Sequence, residues 1–217
     1  MEIKKCAQTD GIYLDLIPGQ SRYYFGQSDT EEFYDIPGWL ENGGYQGSVI
    51  HFFDLETGTK YFPFSKERNV LYGHPIFCDE FIYFLRGDFH KNLLTLYQYL
   101  PGKAPNPVFM QSLDRFDLYN LMVMGTPVHI ISKSSRKLRC YYPKPFECPQ
   151  APNESLIHIE DDRLYFSAWI EEGVENDVIT DHYKYYDKLI IKDYAGNILS
   201  EETGCLTHFP DGSWRLV

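Results

Sequence analysis

The chain has 217 residues, 43% of them hydrophobic and 24% charged, enough for one domain with a proper core and too mixed for a disordered chain. Its formal charge of −11 argues against a nucleic-acid partner, which needs a basic face to displace counterions from phosphates. Its densest basic spots are the pairs Lys4-Lys5 and Arg136-Lys137.

In chain order, the first residues, Met1-Glu-Ile-Lys-Lys, run into a polar stretch with no apolar core of a leader peptide. The five cysteines, Cys6, Cys78, Cys140, Cys148 and Cys205, are odd in number and contain no Cys-x-x-Cys pair. No window approaches the ~18 apolar residues of a membrane span. The expected setting is the cytoplasm, with reduced thiols, no metal and no cofactor; secretion requires a signal peptide that has been removed. No membrane partner is expected.

Aromatic and β-branched runs of four to eight residues follow one another: Ser48 to Phe53, Phe81 to Leu85, Leu93 to Tyr99 and Leu189 to Lys192. Gly, Pro, Asp or Asn bounds each, which is the signature of strands. Tyr and Phe, 18 and 15 in number, favour the same state. The best helical stretch, Glu31 to Leu40, is interrupted by Pro37-Gly38, and a second short one surrounds Arg115 to Leu121.

Two hairpins recur. Phe53-Asp-Leu-Glu-Thr-Gly-Thr-Lys60 turns at Gly58, and Lys192-Asp-Tyr-Ala-Gly-Asn-Ile198 repeats the form at Gly196; Gly11, Gly102 and Lys144 hold the corresponding places. The second hairpin runs out of phase. Leu156-Ile-His-Ile-Glu-Asp-Asp-Arg-Leu-Tyr-Phe166 aligns with Leu206-Thr-His-Phe-Pro-Asp-Gly-Ser-Trp-Arg-Leu216, His158 on His208 and Asp161 on Asp211. Ile76 to Phe84 keeps the acidic turn.

Together the hairpins make a four-stranded unit. Repeated about five times, it resembles the blades of a β-propeller, which ring a central channel. The resemblance implies an all-β fold in a single domain, 1–217. Its blades span 21–66, 70–114, 117–153 and 154–203, and a last one, 204–217, is completed by strands from 2–17. Pairing of the two ends then closes the ring. Two segments break the period, 28–47 and 171–184, and are expected as excursions.

Candidate chemistry follows from these places. His158 and His208, on strands facing the channel, are candidates for holding a ligand, although a buried imidazole paired with a neighbour accounts for each as well. Trp39 and Tyr45, beside Asn42-Gly43-Gly44, are the candidate exposed aromatic site; Tyr23, Tyr24 and Trp214 are further stacking candidates. The acidic run Glu171, Glu172, Glu175, Asp177, Asp181 lacks calcium-loop spacing and reads as a solvated tip. Some five-bladed propellers cleave sugars with inner-strand acids, whose places here are Asp79, Asp161 and Asp211; local turn chemistry explains the same acids. Nucleophile and nucleotide motifs are missing. The expected function is a non-catalytic module that binds a protein, peptide or saccharide at the channel mouth or on 28–47. The alternative is a glycan-acting hydrolase.

Overall fold

The computed structural model describes residues 7–134, 136–175, 178–209 and 213–217. It is all-β, built of antiparallel sheets that follow the chain in order. The first is a meander of β1 (Asp15–Leu16), β2 (Tyr23–Gln27), β3 (Ile50–Asp54) and β4 (Thr59–Tyr61). In the second, β5 (Val70–Tyr72) and β6 (Ile76–Cys78) both pair with β7 (Phe81–Asp88), followed by β8 (Leu93–Tyr99) and β9 (Asn106–Ser112). The third runs β10 (Met122–Met124), β11 (His129–Lys133), β12 (Lys137–Tyr142), β13 (Phe146–Pro149). The fourth runs β14 (Glu154–Glu160), β15 (Arg163–Glu175), β16 (Val178–Asp193), β17 (Ile198–Thr203). A hairpin of β18 (Leu206–His208) and β19 (Trp214–Leu216) ends the chain. The one α-helix among the described residues, α1 (Ile36–Glu41), lies between β2 and β3.

The repeated hairpins have a local cause. Asp54 ends β3 and its Oδ1 accepts the backbone N–H of Glu56 at 2.9 Å, while Gly58, at φ 70°, donates to the Asp54 carbonyl at 2.8 Å. Asp193 ends β16 in the same way: its Oδ1 takes the N–H groups of Ala195 and Asn197, and Gly196, at φ 88°, donates to its carbonyl. An aspartate that mimics a turn of backbone, followed by a glycine free to take positive φ, is what each connection needs. The connection expected at Gly102 joins β8 to β9, and the one at Lys144 joins β12 to β13.

The segment 12–17, expected to complete the last four-stranded unit, pairs elsewhere: Asp15 and Leu16 lie opposite Phe25 and Tyr24 of β2. Gln20 accounts for this. Its amide nitrogen donates to the carbonyls of Ile17 and Tyr23, both at 2.8 Å, and its oxygen accepts the N–H of Arg22, so the segment closes on the next strand. Among the described residues, β18 and β19 pair only with each other, and residues 1–6 lie outside the description.

The chain forms two compact units, 1–124 with 130–132, and 125–129 with 133–217. In the first, Ile17, Phe25, Ile50, Phe52, Val70, Tyr72, Ile82, Phe84 and Tyr99 make one buried cluster from the first two sheets. Phe52 meets Phe84 and Tyr99 with ring centroids 5.6 and 5.2 Å apart, within the separation at which aromatic pairs attract. In the second unit, Leu164, Phe166 and Ala168 of β15 are fully buried and alternate with half-exposed neighbours, the two-residue period of a half-buried strand. Cys78, Cys140, Cys148 and Cys205 form no disulfide. No helix among the described residues is long and apolar enough to cross a membrane.

Candidate functional site

The excursion between β2 and β3 is pinned from inside. Phe33, 1% exposed, lies against Gly73 and Gly87, where a Cβ would meet its ring at 3.1 and 2.8 Å. Ile36 is fully buried on the inner side of α1. Tyr45, expected as half of an exposed aromatic pair, is buried, and its hydroxyl hydrogen-bonds Asp29 Oδ2. Burial and the Asp29 carboxylate push the Tyr45 phenol well up. Its backbone exchanges hydrogen bonds with Asn69: N–H to the Asn69 side chain at 2.8 Å, carbonyl to the Asn69 N–H at 3.0 Å. Tyr45 is therefore an anchor. Gly44 and Gly47 on either side of it lie close against 67–69; a Cβ on Gly47 would sit 1.8 Å from the Glu67 carbonyl oxygen.

The outer side of the same excursion is aromatic and acidic. Trp39 is 46% exposed, with its indole N–H fixed on Glu31 Oε2 at 2.9 Å. Tyr34, also exposed, meets the exposed Tyr119 at a centroid distance of 5.3 Å. The carboxylates of Asp35, then Glu32 and Glu31, hold the Tyr34 phenol above its ordinary value. From Ser28 to Gly47 the sequence holds Asp29, Glu31, Glu32, Asp35 and Glu41 and no Lys or Arg. The sequence singles out neither Tyr34 nor Tyr119, because their contact depends on segments far apart in the chain coming together.

His158 and His208 are brought together, but on a ring. Trp214 lies with its centroid 4.8 Å from each imidazole. His208 faces Trp214 directly across the β18–β19 pair, and His158 reaches it from β14. Burial lowers the His158 pKa; Glu160 opposes and His208 adds to the lowering. Among the described residues no group of three His, Cys, Asp or Glu side chains is placed to hold a metal ion.

Asp79 and Asp161 are exposed, each the first residue of a two-residue hairpin turn. Asp79-Glu80 have φ of 48° and 69°, and Asp161-Asp162 have 48° and 61°. Consecutive positive φ values define the hairpin turn that matches strand twist, and Asp tolerates them. That requirement explains both acids without catalysis. Asp211 lies outside the described residues.

The acidic run 171–184, expected as a solvated hairpin tip, belongs to a long pair of strands described as far as Glu175 and again from Val178. β15 and β16 stay paired from Arg163–Asp193 out to Glu175–Val178. β14 covers β15 only as far as Ala168, and β17 covers β16 only from Lys188, so the outer half is two strands alone. Trp169 and Tyr185 stack there at 4.8 Å and 18°, and are 46% and 60% exposed. Glu171 accepts the Tyr183 hydroxyl at 2.7 Å, and Glu172 pairs with Lys184 at 2.7 Å. Asp177 lies outside the described residues. The sequence signal for the ribbon was Tyr183, Tyr185 and Tyr186, strand formers set among the charges.

No family model, no curated protein and no solved structure matches this chain.

Proposed function

We propose that the chain is a non-catalytic interaction module on a small propeller-like scaffold, and that the excursion 28–47 binds a protein or peptide partner. The observation that carries this reading is the separation of sides on the excursion. Phe33, Ile36 and Tyr45 hold it down, while Tyr34, Trp39 and Tyr119 stand exposed among carboxylates. Anchored aromatics that give up contact with water on binding are the side chains that dominate interface energies. The acids select a partner of basic character. The propeller part of the reading rests on four antiparallel sheets and a hairpin following one another along the chain. Small-angle scattering supports it with a compact disc-shaped envelope and overturns it with an elongated one.

The binding test is calorimetric titration of the wild-type protein and Trp39→Ala with basic peptides, acidic peptides and oligosaccharides. Basic peptides are expected to bind the wild type, with a loss of about tenfold in Trp39→Ala, the order for an interface aromatic. Saccharide binding without peptide binding, or equal affinities for the two proteins, overturns the reading.

A further inference from the structure

We infer that the outer half of the β15–β16 ribbon is a second binding surface, and that its occupant is an arginine side chain of a basic peptide segment. The placement follows from strand register. Trp169 stands directly opposite Asp187, and Glu171 directly opposite Tyr185. Residues two apart on a strand share a face, so these four side chains form the corners of one patch. The aromatic corners stack across one diagonal at 4.8 Å. The carboxylates hold the other.

The reverse face of the ribbon shows what such a set takes up. There Glu172, Lys184 and Tyr186 stand together: Lys184 Nζ lies 2.7 Å from Glu172 and 5.9 Å from the Tyr186 ring centre, and the Tyr186 hydroxyl donates to Glu172 at 2.8 Å. A carboxylate, an aromatic ring and a cation complete one another within the chain. The Trp169 face repeats the carboxylates and the rings, and among the described residues neither Glu171 nor Asp187 has an ion-pair partner. Lys188, the next cation along β16, is held by Glu201 at 3.1 Å. The missing member is a cation.

Arginine fits best. Its planar guanidinium stacks on an aromatic face and meets a carboxylate with paired N–H groups, which an ammonium does not do. Between Trp169 and Asp187 the sequence adds Glu172, Glu175, Asp177 and Asp181 against a single lysine, Lys184, so a basic segment meets complementary charge. The surface is separate in sequence from the 28–47 excursion, and the inference stands or falls without it.

The test uses the full chain and three synthetic peptides of one sequence, with arginine, lysine or citrulline at alternating positions, titrated while tryptophan fluorescence and heat are read. The arginine peptide is expected to bind most tightly and the citrulline peptide, which keeps the shape and loses the charge, at least tenfold more weakly. Trp169→Ala should lose about two- to thirtyfold, the range for a cation over a tryptophan. Glu171→Gln with Asp187→Asn should weaken binding and flatten its salt dependence. Unchanged melting temperatures confirm that each variant is folded. Equal binding of arginine and citrulline peptides overturns the inference. So does wild-type affinity in folded Trp169→Ala, or preference for an oligosaccharide over all three peptides. If Trp39→Ala abolishes arginine-peptide binding and Trp169→Ala leaves it intact, the ribbon surface is refuted while the excursion reading survives.

Discussion

Single carboxylates and imidazoles set much of the local order. Asp54, 2% exposed, takes two hydrogen bonds from the Arg22 guanidinium as well as the turn N–H groups of Glu56 and Thr57. The Arg22 contact, with these backbone donors, holds its carboxyl at about 2. A depressed carboxyl pKa stabilises the fold above its ordinary value near ~4, and the contribution fades as pH falls toward 2. Asp54→Ala should cost about 2–3 kcal/mol in urea unfolding at pH 7, since Arg22 keeps access to water and only the turn donors are stranded. The variant should also lose less stability than the wild type between pH 5 and pH 2. His158 works in the opposite pH range. Burial lowers its pKa, so the unfolded chain takes up the proton first, and stability present above about pH 6.5 is lost as pH falls below it. His158→Phe keeps a ring against Trp214, so the difference in melting temperature between pH 7.5 and pH 5 should shrink in the variant. An unchanged difference would show that His158 titrates as it does in the unfolded chain.

At the scale of elements, the excursion and the ribbon are built by opposite means. The excursion is short of regular structure and depends on glycine: Gly47 has φ 83° and no room for a Cβ against Glu67. Gly47→Ala should destabilise the first unit by roughly 2 kcal/mol or more, through both the strained conformation and the close approach. Hydrogen exchange should show it as faster opening at Tyr45 and Asn69, and wild-type exchange there would remove Gly47 from the anchoring account. Legibility in the sequence divides the same way. The aspartate–glycine connections, Asp54 to Gly58 and Asp193 to Gly196, were readable because one side chain and one glycine define the turn locally. The pairing of Asp15–Leu16 with β2 was not, because Gln20 decides it through backbone contacts that carry no periodic signal. Tyr45 looked like a surface aromatic because its burial depends on Asn69 and Asp29, distant in sequence. The length of the ribbon was not legible because two strands without a covering layer need no apolar face, and alternation between buried and exposed positions disappears.

For the whole molecule, the decisive quantity is the charge of −11. The ion pairs among the described residues use up cations, as Arg86 with Glu67 and Asp88 and Lys192 with Glu154 show, and leave the acidic surplus on the outside. Like-charge repulsion then opposes compaction, and salt screens it over a Debye length of ~10 Å at 0.1 M. The melting temperature should rise by about 2–4 °C between 10 and 300 mM sodium chloride, corresponding to roughly 1 kcal/mol for a chain of this size. A flat or falling curve would mean that the surplus charges are too far apart to matter. Both candidate sites carry part of this acidic surplus, and the partner proposed for each is basic.

The overhang of β15 and β16 has a practical side. Beyond Ala168 and Lys188 the ribbon extends for roughly 20 Å at strand rise, and among the described residues no further strand pairs with it. It behaves as an appendix to a finished sheet. Cutting the chain back to Ala168 and Lys188 and joining the stumps with an Asn-Gly turn should leave a protein that folds as before but has lost the arm. Such a detachable part can be lengthened, exchanged or grafted onto another scaffold without touching the body that carries it.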